Sequence, residues 1–243
     1  MPRCSLANDP VHFVFDLDDT LYFEEDYVRS ALRFVGGEVA ERFSLANAAD
    51  RLLVLRAAGE KNPIGRLWDE HGLPPDIRST VLDAMRAHVP AISLRPDAAD
   101  FIDVLRADRT AYAIVTDGRS VTQRAKISAL NCLDAAYISV SEEVGLLKTD
   151  PARFAAVEER LGEGRYVYVG DNPAKDFAAP NGLGWLTIML VHDGQGVHGQ
   201  HLPPDRSYHP QFAMRSFAEL AELASCPARG RDVVPLVRRP EEH

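Results

Sequence analysis

Residues 11–22 read VHFVFDLDDTLY, an apolar-dominated run from Val11 to Phe15 that ends in three carboxylates, Asp16, Asp18 and Asp19. Asn8-Asp9-Pro10 precedes the run and reads as a turn. Five such residues between a turn and a charged cluster predict a central strand of a parallel sheet, buried on both faces. Negative charge beside a buried strand is costly unless something pairs with it. A strand that ends in Asp-x-Asp therefore marks a site, and Asp19 is left to helix or turn capping.

Downstream the texture changes twice. From Glu24 to about Val89, apolar residues recur at helical spacing, as in Tyr27, Ala31, Phe34 and Val35, or Val81, Leu82 and Met85. This predicts about four helices and no strand, with Gly36-Gly37 kinking or splitting the first helix. Beyond Pro90, strands and helices alternate. Expected strands are Ala111–Thr116, Ala136–Val140, Tyr166–Gly170 and Trp185–Val191, with an edge strand over Tyr208–Met214. Expected helices are Pro96–Ala107, Ser120–Leu130, Pro151–Leu161, Pro173–Pro180 and Ser216–Ala224. The alternation predicts an α/β fold, a parallel sheet covered on both faces. The division is a core of residues 1–22 and 91–243 with a helical insert of residues 23–90. The tail after Pro227 is expected to fray.

In such folds the site lies beyond the carboxyl ends of the strands. Polar groups collect there: Asp16 and Asp18 after the first strand, Thr116, Asp117 and Gly118 after the second, Lys148 after the third, and Asp171 with Asp176 after the fourth. Carboxylate oxygens suit a hard cation such as Mg2+. Asp16 and Asp171 are its natural side-chain ligands. One carboxylate of the first pair can attack phosphorus. Asp18 can protonate the leaving oxygen and then activate water. Thr116 and the backbone N–H groups after it can hold the transferring oxygens, and Lys148 can offset their charge. Each element alone has a bland reading as a turn, a cap or a surface lysine. Their shared placement at strand ends argues for phosphoryl transfer.

The bulk numbers narrow the field. The 243 residues carry a net charge of -9 and are 46% hydrophobic. No basic block is present, which argues against a nucleic-acid partner. No stretch reaches the roughly 18 apolar residues of a membrane span. Cys4, Cys132 and Cys226 form no metal or disulfide pattern, Cys132 reads as a packing residue, and the N-terminus lacks an apolar leader segment. These features fit a reduced, cytoplasmic protein. His192, His198 and His201 lie in a Gly- and Pro-rich stretch, 192–206, and read as solvated loop histidines.

At these residues the sequence resembles the haloacid dehalogenase superfamily. Asp16-Leu17-Asp18-Asp19-Thr20 matches its DxDxT motif, Thr116 its second-motif hydroxyl, Lys148 its third-motif lysine, and Gly170, Asp171 and Asp176 its acidic fourth motif. The resemblance spans about Val11 to Ala224. It implies a Rossmann-like, doubly wound core with an inserted helical cap that carries specificity. It implies that Asp16 is nucleophile and metal ligand, and that Asp18 is the acid/base and lends its backbone carbonyl to the metal. It implies that Thr116 and Lys148 bind the phosphoryl group, that Asp171 is a metal ligand, and that Asp176 is a ligand or supports one. The expected activity is a Mg2+-dependent phosphatase of a small phosphorylated metabolite, as monomer or homodimer. A sugar-phosphate mutase and a catalytically silent binding protein are the alternatives. Carbon–halogen hydrolases of the family lack the second aspartate, so Asp18 argues against that chemistry. Phosphonate hydrolases use a cap lysine, and the insert's single lysine, Lys61, precedes a loop signal. The second motif reads Thr-Asp-Gly where many members have Thr-Asn-Gly, which sets an extra carboxylate beside the phosphate.

Overall fold

The structure, a computed structural model, describes residues 10–220. In chain order its elements are β1 (Val11–Phe15), α1 (Glu24–Phe43), α2 (Ala48–Ala57), α3 (Pro63–His71), α4 (Pro75–Ala87), α5 (Pro96–Ala107), β2 (Tyr112–Thr116), α6 (Ser120–Ala129), β3 (Tyr137–Val140), α7 (Ser141–Val144), α8 (Pro151–Leu161), β4 (Arg165–Gly170), α9 (Ala178–Gly182), β5 (Leu186–Leu190) and β6 (Phe212–Met214). The described chain divides into two compact units. One holds residues 10–23, Leu94–Ser120 and 132–220, and the other holds Glu24–Ser93 and Val121–Asn131.

The first unit is built on a six-stranded sheet in the order β3-β2-β1-β4-β5-β6, with every pairing parallel. β1 is central, as its apolar run predicts. Its side chains alternate between the two faces. Val14 enters a cluster with Val115, Phe154, Tyr168, Phe177 and Trp185. Phe13 and Phe15 point the other way onto Phe101, edge to face at 5.1 and 6.2 Å, and Phe217 closes that layer against Phe15. Burial of each such ring stabilises the fold by about 1.5–3 kcal/mol. α8 begins where Asp150 accepts from the Ala152 N–H at 2.9 Å, with Pro151 in its first turn, and it ends at Gly162.

The second unit contains the four expected helices. Its core joins Leu32, Val35 and Val39 to Leu52, Leu67, Trp68 and Val81. α3 is capped by Asn62, which accepts from the Gly65 N–H, and is stopped by Gly72 in the left-handed conformation. α6 ends before Asn131, whose φ of 56° marks the expected stop.

Several expectations need correction. α1 runs unbroken through Gly36-Gly37. A Cβ on Gly36 would lie 2.3 Å from the Cα of Ala49, so this glycine permits close helix packing rather than a kink. The predicted helix over 173–180 starts only at Ala178, because the carboxylate of Asp176 accepts from the Asn172 N–H at 2.8 Å and shapes a turn there. The edge strand shrinks to Phe212–Met214, with a short 3-10 turn over Arg206–Tyr208. Of the helix predicted over 216–224, residues 217–220 are helical. Its remainder, Cys4, Cys226 and the tail after Pro227 lie outside the described residues.

Candidate functional site

The strand order reverses between β1 and β4, and the carboxyl ends of strands at such a switch point are where doubly wound sheets bind ligands. The Asp16 N–H donates to the Val169 carbonyl at 2.9 Å, which carries the ladder one residue past β1 and fixes the Asp16 backbone. Its side chain is buried. Nζ of Lys148 donates to Oδ1 of Asp16, and the Thr20 hydroxyl donates to Oδ2 at 3.2 Å. The same ammonium reaches Oδ1 of Asp176 at 2.9 Å, which also accepts from the Tyr168 hydroxyl at 3.3 Å. A Cβ on Gly170 would lie 2.6 Å from Oδ2 of Asp176, so only glycine at the end of β4 leaves this carboxylate its place. Asp18, half-buried, accepts from the Tyr22 hydroxyl.

After β2, Thr116 is buried and Asp117 is paired. Nη1 of Arg153 donates to Asp117, and Nη2 donates to the carbonyls of Thr116 at 3.0 Å and Ser139 at 2.8 Å. The carboxylate that replaces the more usual amide of the second motif thus carries its own counter-ion, held from behind by α8. The Gly118 N–H donates to Oγ of Ser141 at 2.9 Å.

Charge is crowded here. Burial raises the Asp16 carboxyl well above its ordinary range. Lys148 pulls it back, and Asp176, Asp171 and Asp18 add to the rise. Burial likewise lifts Asp171, against a neighbouring His192 and with Asp176. Burial works against the charge on Lys148, but Asp16 and Asp176 hold it well above lysine's ordinary value. Carboxylate oxygens of Asp16, Asp171 and Asp176 come within 4.8 Å of one another. Oδ2 of Asp171 is buried and makes no hydrogen bond among the described residues. An unsatisfied carboxylate oxygen in an over-anionic, all-oxygen cradle fits a hard divalent cation.

The structure thus brings Asp16, Lys148, Asp171 and Asp176 into direct contact or ligand distance, with Asp18, Thr116, Asp117 and Gly118 on the adjoining strand ends. It also brings to the site two residues that the sequence had pointed elsewhere. His192 is buried, not solvated, while His198 and His201 are exposed as expected. Asp19 is buried too. Its φ is 56°, and its Oδ2 accepts from the Val197 N–H at 2.6 Å. Asp19, Asp171 and His192 form a second group of ligand atoms within 4.8 Å.

Residues 11–184 match a known family, the haloacid dehalogenase-like hydrolases. Among characterised relatives, the glyceraldehyde 3-phosphate phosphatase of Methanopyrus kandleri is 27% identical over 224 residues, covering 86% of this chain and 95% of its own. That of Methanocaldococcus jannaschii is 22% identical with the same coverage. Among solved structures, YfnB of Bacillus subtilis bound to magnesium superposes with a TM-score of 0.63 at 20% identity, covering 90% of this chain and all of its own. At that identity the likeness speaks for the fold.

Proposed function

Because this chain belongs to the haloacid dehalogenase-like hydrolases, we propose that it is a Mg2+-dependent phosphatase of a small sugar-phosphate-like metabolite, working through an aspartyl-phosphate on Asp16. The observation that carries this is Asp16 itself. It is a buried carboxylate just past the carboxyl end of β1, with Lys148 on one oxygen and Thr20 on the other. The two phosphatase relatives support the substrate class.

Asp16 attacks phosphorus, and the bond to the leaving oxygen breaks as the Asp16 Oδ–phosphorus bond forms. Asp18 donates its proton to that oxygen, then takes one from the water that opens the aspartyl-phosphate. The Tyr22 hydroxyl holds Asp18 for this exchange. Thr116 and the Asp117 backbone receive the phosphoryl oxygens, and the Gly118 N–H joins them by giving up Ser141. Lys148 offsets charge on nucleophile and phosphate. Asp16, Asp171 and the Asp18 backbone carbonyl would hold the cation, which supplies charge neutralisation between carboxylate and phosphate. Asp176 holds Lys148, Tyr168 and the Asn172 N–H, and through Lys148 it supports Asp16. The helical insert is assigned the specificity role that family caps have.

The test is phosphate release from glyceraldehyde 3-phosphate and from p-nitrophenyl phosphate by the purified chain. Release is expected with Mg2+, to stop with EDTA, and to be absent in Asp16→Asn. Release at the wild-type rate by that variant would remove Asp16 as nucleophile.

A further inference from the structure

The loop after β5 turns back onto the acidic cluster and grips Asp171 from two sides. Gln200 donates through Nε2 to the Asp171 carbonyl at 2.8 Å and to the Leu190 carbonyl at 2.7 Å. Its Oε1 accepts from the His192 N–H at 3.1 Å. Nε2 of His192 faces Oδ2 of Asp171 at 3.5 Å. Both atoms are buried, and neither makes a hydrogen bond among the described residues.

The other imidazole nitrogen decides what that contact can be. The Gly196 N–H donates to Nδ1 of His192 at 3.1 Å. A backbone N–H can only donate, so Nδ1 presents its lone pair and the ring proton sits on Nε2. A nitrogen that carries a proton cannot ligate a cation, but it can donate to a carboxylate. The arrangement depends on glycine, because a Cβ on Gly196 would lie 2.3 Å from Nε2 and 2.5 Å from Cε1 of His192. The loop is tied down again where the Val197 N–H meets Asp19.

We propose that His192 is a positioning residue for the cation site: as an Nε2–H donor fixed by Gly196 it aims the Asp171 carboxylate, and it stays outside the coordination sphere. The inference rests on the reading of Asp171 as a metal ligand. It makes the group Asp19, Asp171 and His192 a support for the cradle rather than a second metal site. The cage stays all-oxygen and suited to Mg2+, whereas an imidazole ligand would draw Zn2+ or Ni2+.

Two measurements test it on the full chain. Long-range 1H–15N correlation of the His192 ring is expected to show Nε2 protonated and Nδ1 bare, both metal-free and at saturating Mg2+. Titration calorimetry with MgCl2 is expected to give a Kd about tenfold or more weaker for His192→Leu, with part of the loss recovered by His192→Gln, whose amide can still donate. A proton on Nδ1, or an unchanged Mg2+ Kd in His192→Leu, overturns the proposal. Asp171→Asn separates the two levels. If it binds Mg2+ as the wild type does, Asp171 is not a ligand and both readings fall. If it loses Mg2+ while His192→Leu keeps it, only the role of His192 falls.

Discussion

Arg153 and Asp117 form an ion pair in which Nη1 meets Oδ1 at 2.5 Å, and the arginine side chain is wholly enclosed. The guanidinium also serves the Thr116 and Ser139 carbonyls, so one side chain from α8 braces the loop ends of both β2 and β3. Arg153→Met would remove the counter-ion that Asp117 has in Arg153, and the guanidinium's bonds to two carbonyls. A loss of about 3 kcal/mol or more in unfolding free energy is expected, read as a lower urea midpoint. A midpoint unchanged from wild type would show that the pair does not brace the loop.

The two aspartates of the first motif should fail differently. Asp16→Asn is expected to lower kcat by about 10^4-fold or more, as loss of a nucleophile does. Asp18→Asn is expected to lose about 10^2- to 10^4-fold on alkyl phosphates. Its loss in the phosphoryl-transfer step should be smaller with p-nitrophenyl phosphate, whose leaving group needs no proton. Burst kinetics that compare the two esters would check this. Equal losses on both would place Asp18 elsewhere in the mechanism.

At the other end of the sheet, Asp134 accepts from Arg106 at 2.8 and 2.9 Å and from the Tyr112 hydroxyl at 2.7 Å. The hydrogen bond from Arg106 chiefly holds its carboxyl down to about 2. A carboxyl depressed on folding stabilises above its unfolded value, and that contribution fades as pH falls from about 4 towards about 2. The pair is partly exposed, so solvent screening limits the effect to about 1 kcal/mol or less. Asp134→Asn should therefore cost little at neutral pH and flatten the acid limb of a stability profile. Parallel wild-type and variant curves between pH 4 and pH 2 would contradict this.

Adjacent glycines in α1 should respond with opposite sign. Gly36→Ala drives a methyl into the Ala49 backbone, and an overpacking cost of about 1–3 kcal/mol is expected. A Cβ on Gly37 meets nothing within 4 Å, so Gly37→Ala should gain up to about 1 kcal/mol from helix propensity. Paired urea melts decide it, and a stabilising Gly36→Ala would refute the close helix contact.

The parallel sheet, and the gathering of the candidate-site residues at its strand ends, were legible because both follow from local patterns. β1 is apolar apart from His12, and Asp16, Thr116 and Asp171 each stand where a strand stops. The rule that located them applies equally to His192, two residues past β5. It was passed over because the glycines and prolines around it suggest a solvated loop, whereas its burial depends on the return of Gly196 and Gln200. Arg153 reads as an ordinary residue of an amphipathic helix, and only the third dimension sets it behind Asp117. The Gly36-Gly37 pair misled for a related reason. Propensity counts what a glycine costs its own helix, not what it permits a neighbour.

The bond from Val197 to Asp19 spans 178 positions of the chain. Synthesis runs from the amino terminus, so the turn after β1 emerges long before the segment that ties it down. Every motif residue from Asp16 to Asp176 is polymerised while Asp171 still lacks the grip of His192 and Gln200. A nascent chain halted before Gln200 would hold every one of those residues with the bonds from Gln200 to the Asp171 and Leu190 carbonyls still unmade.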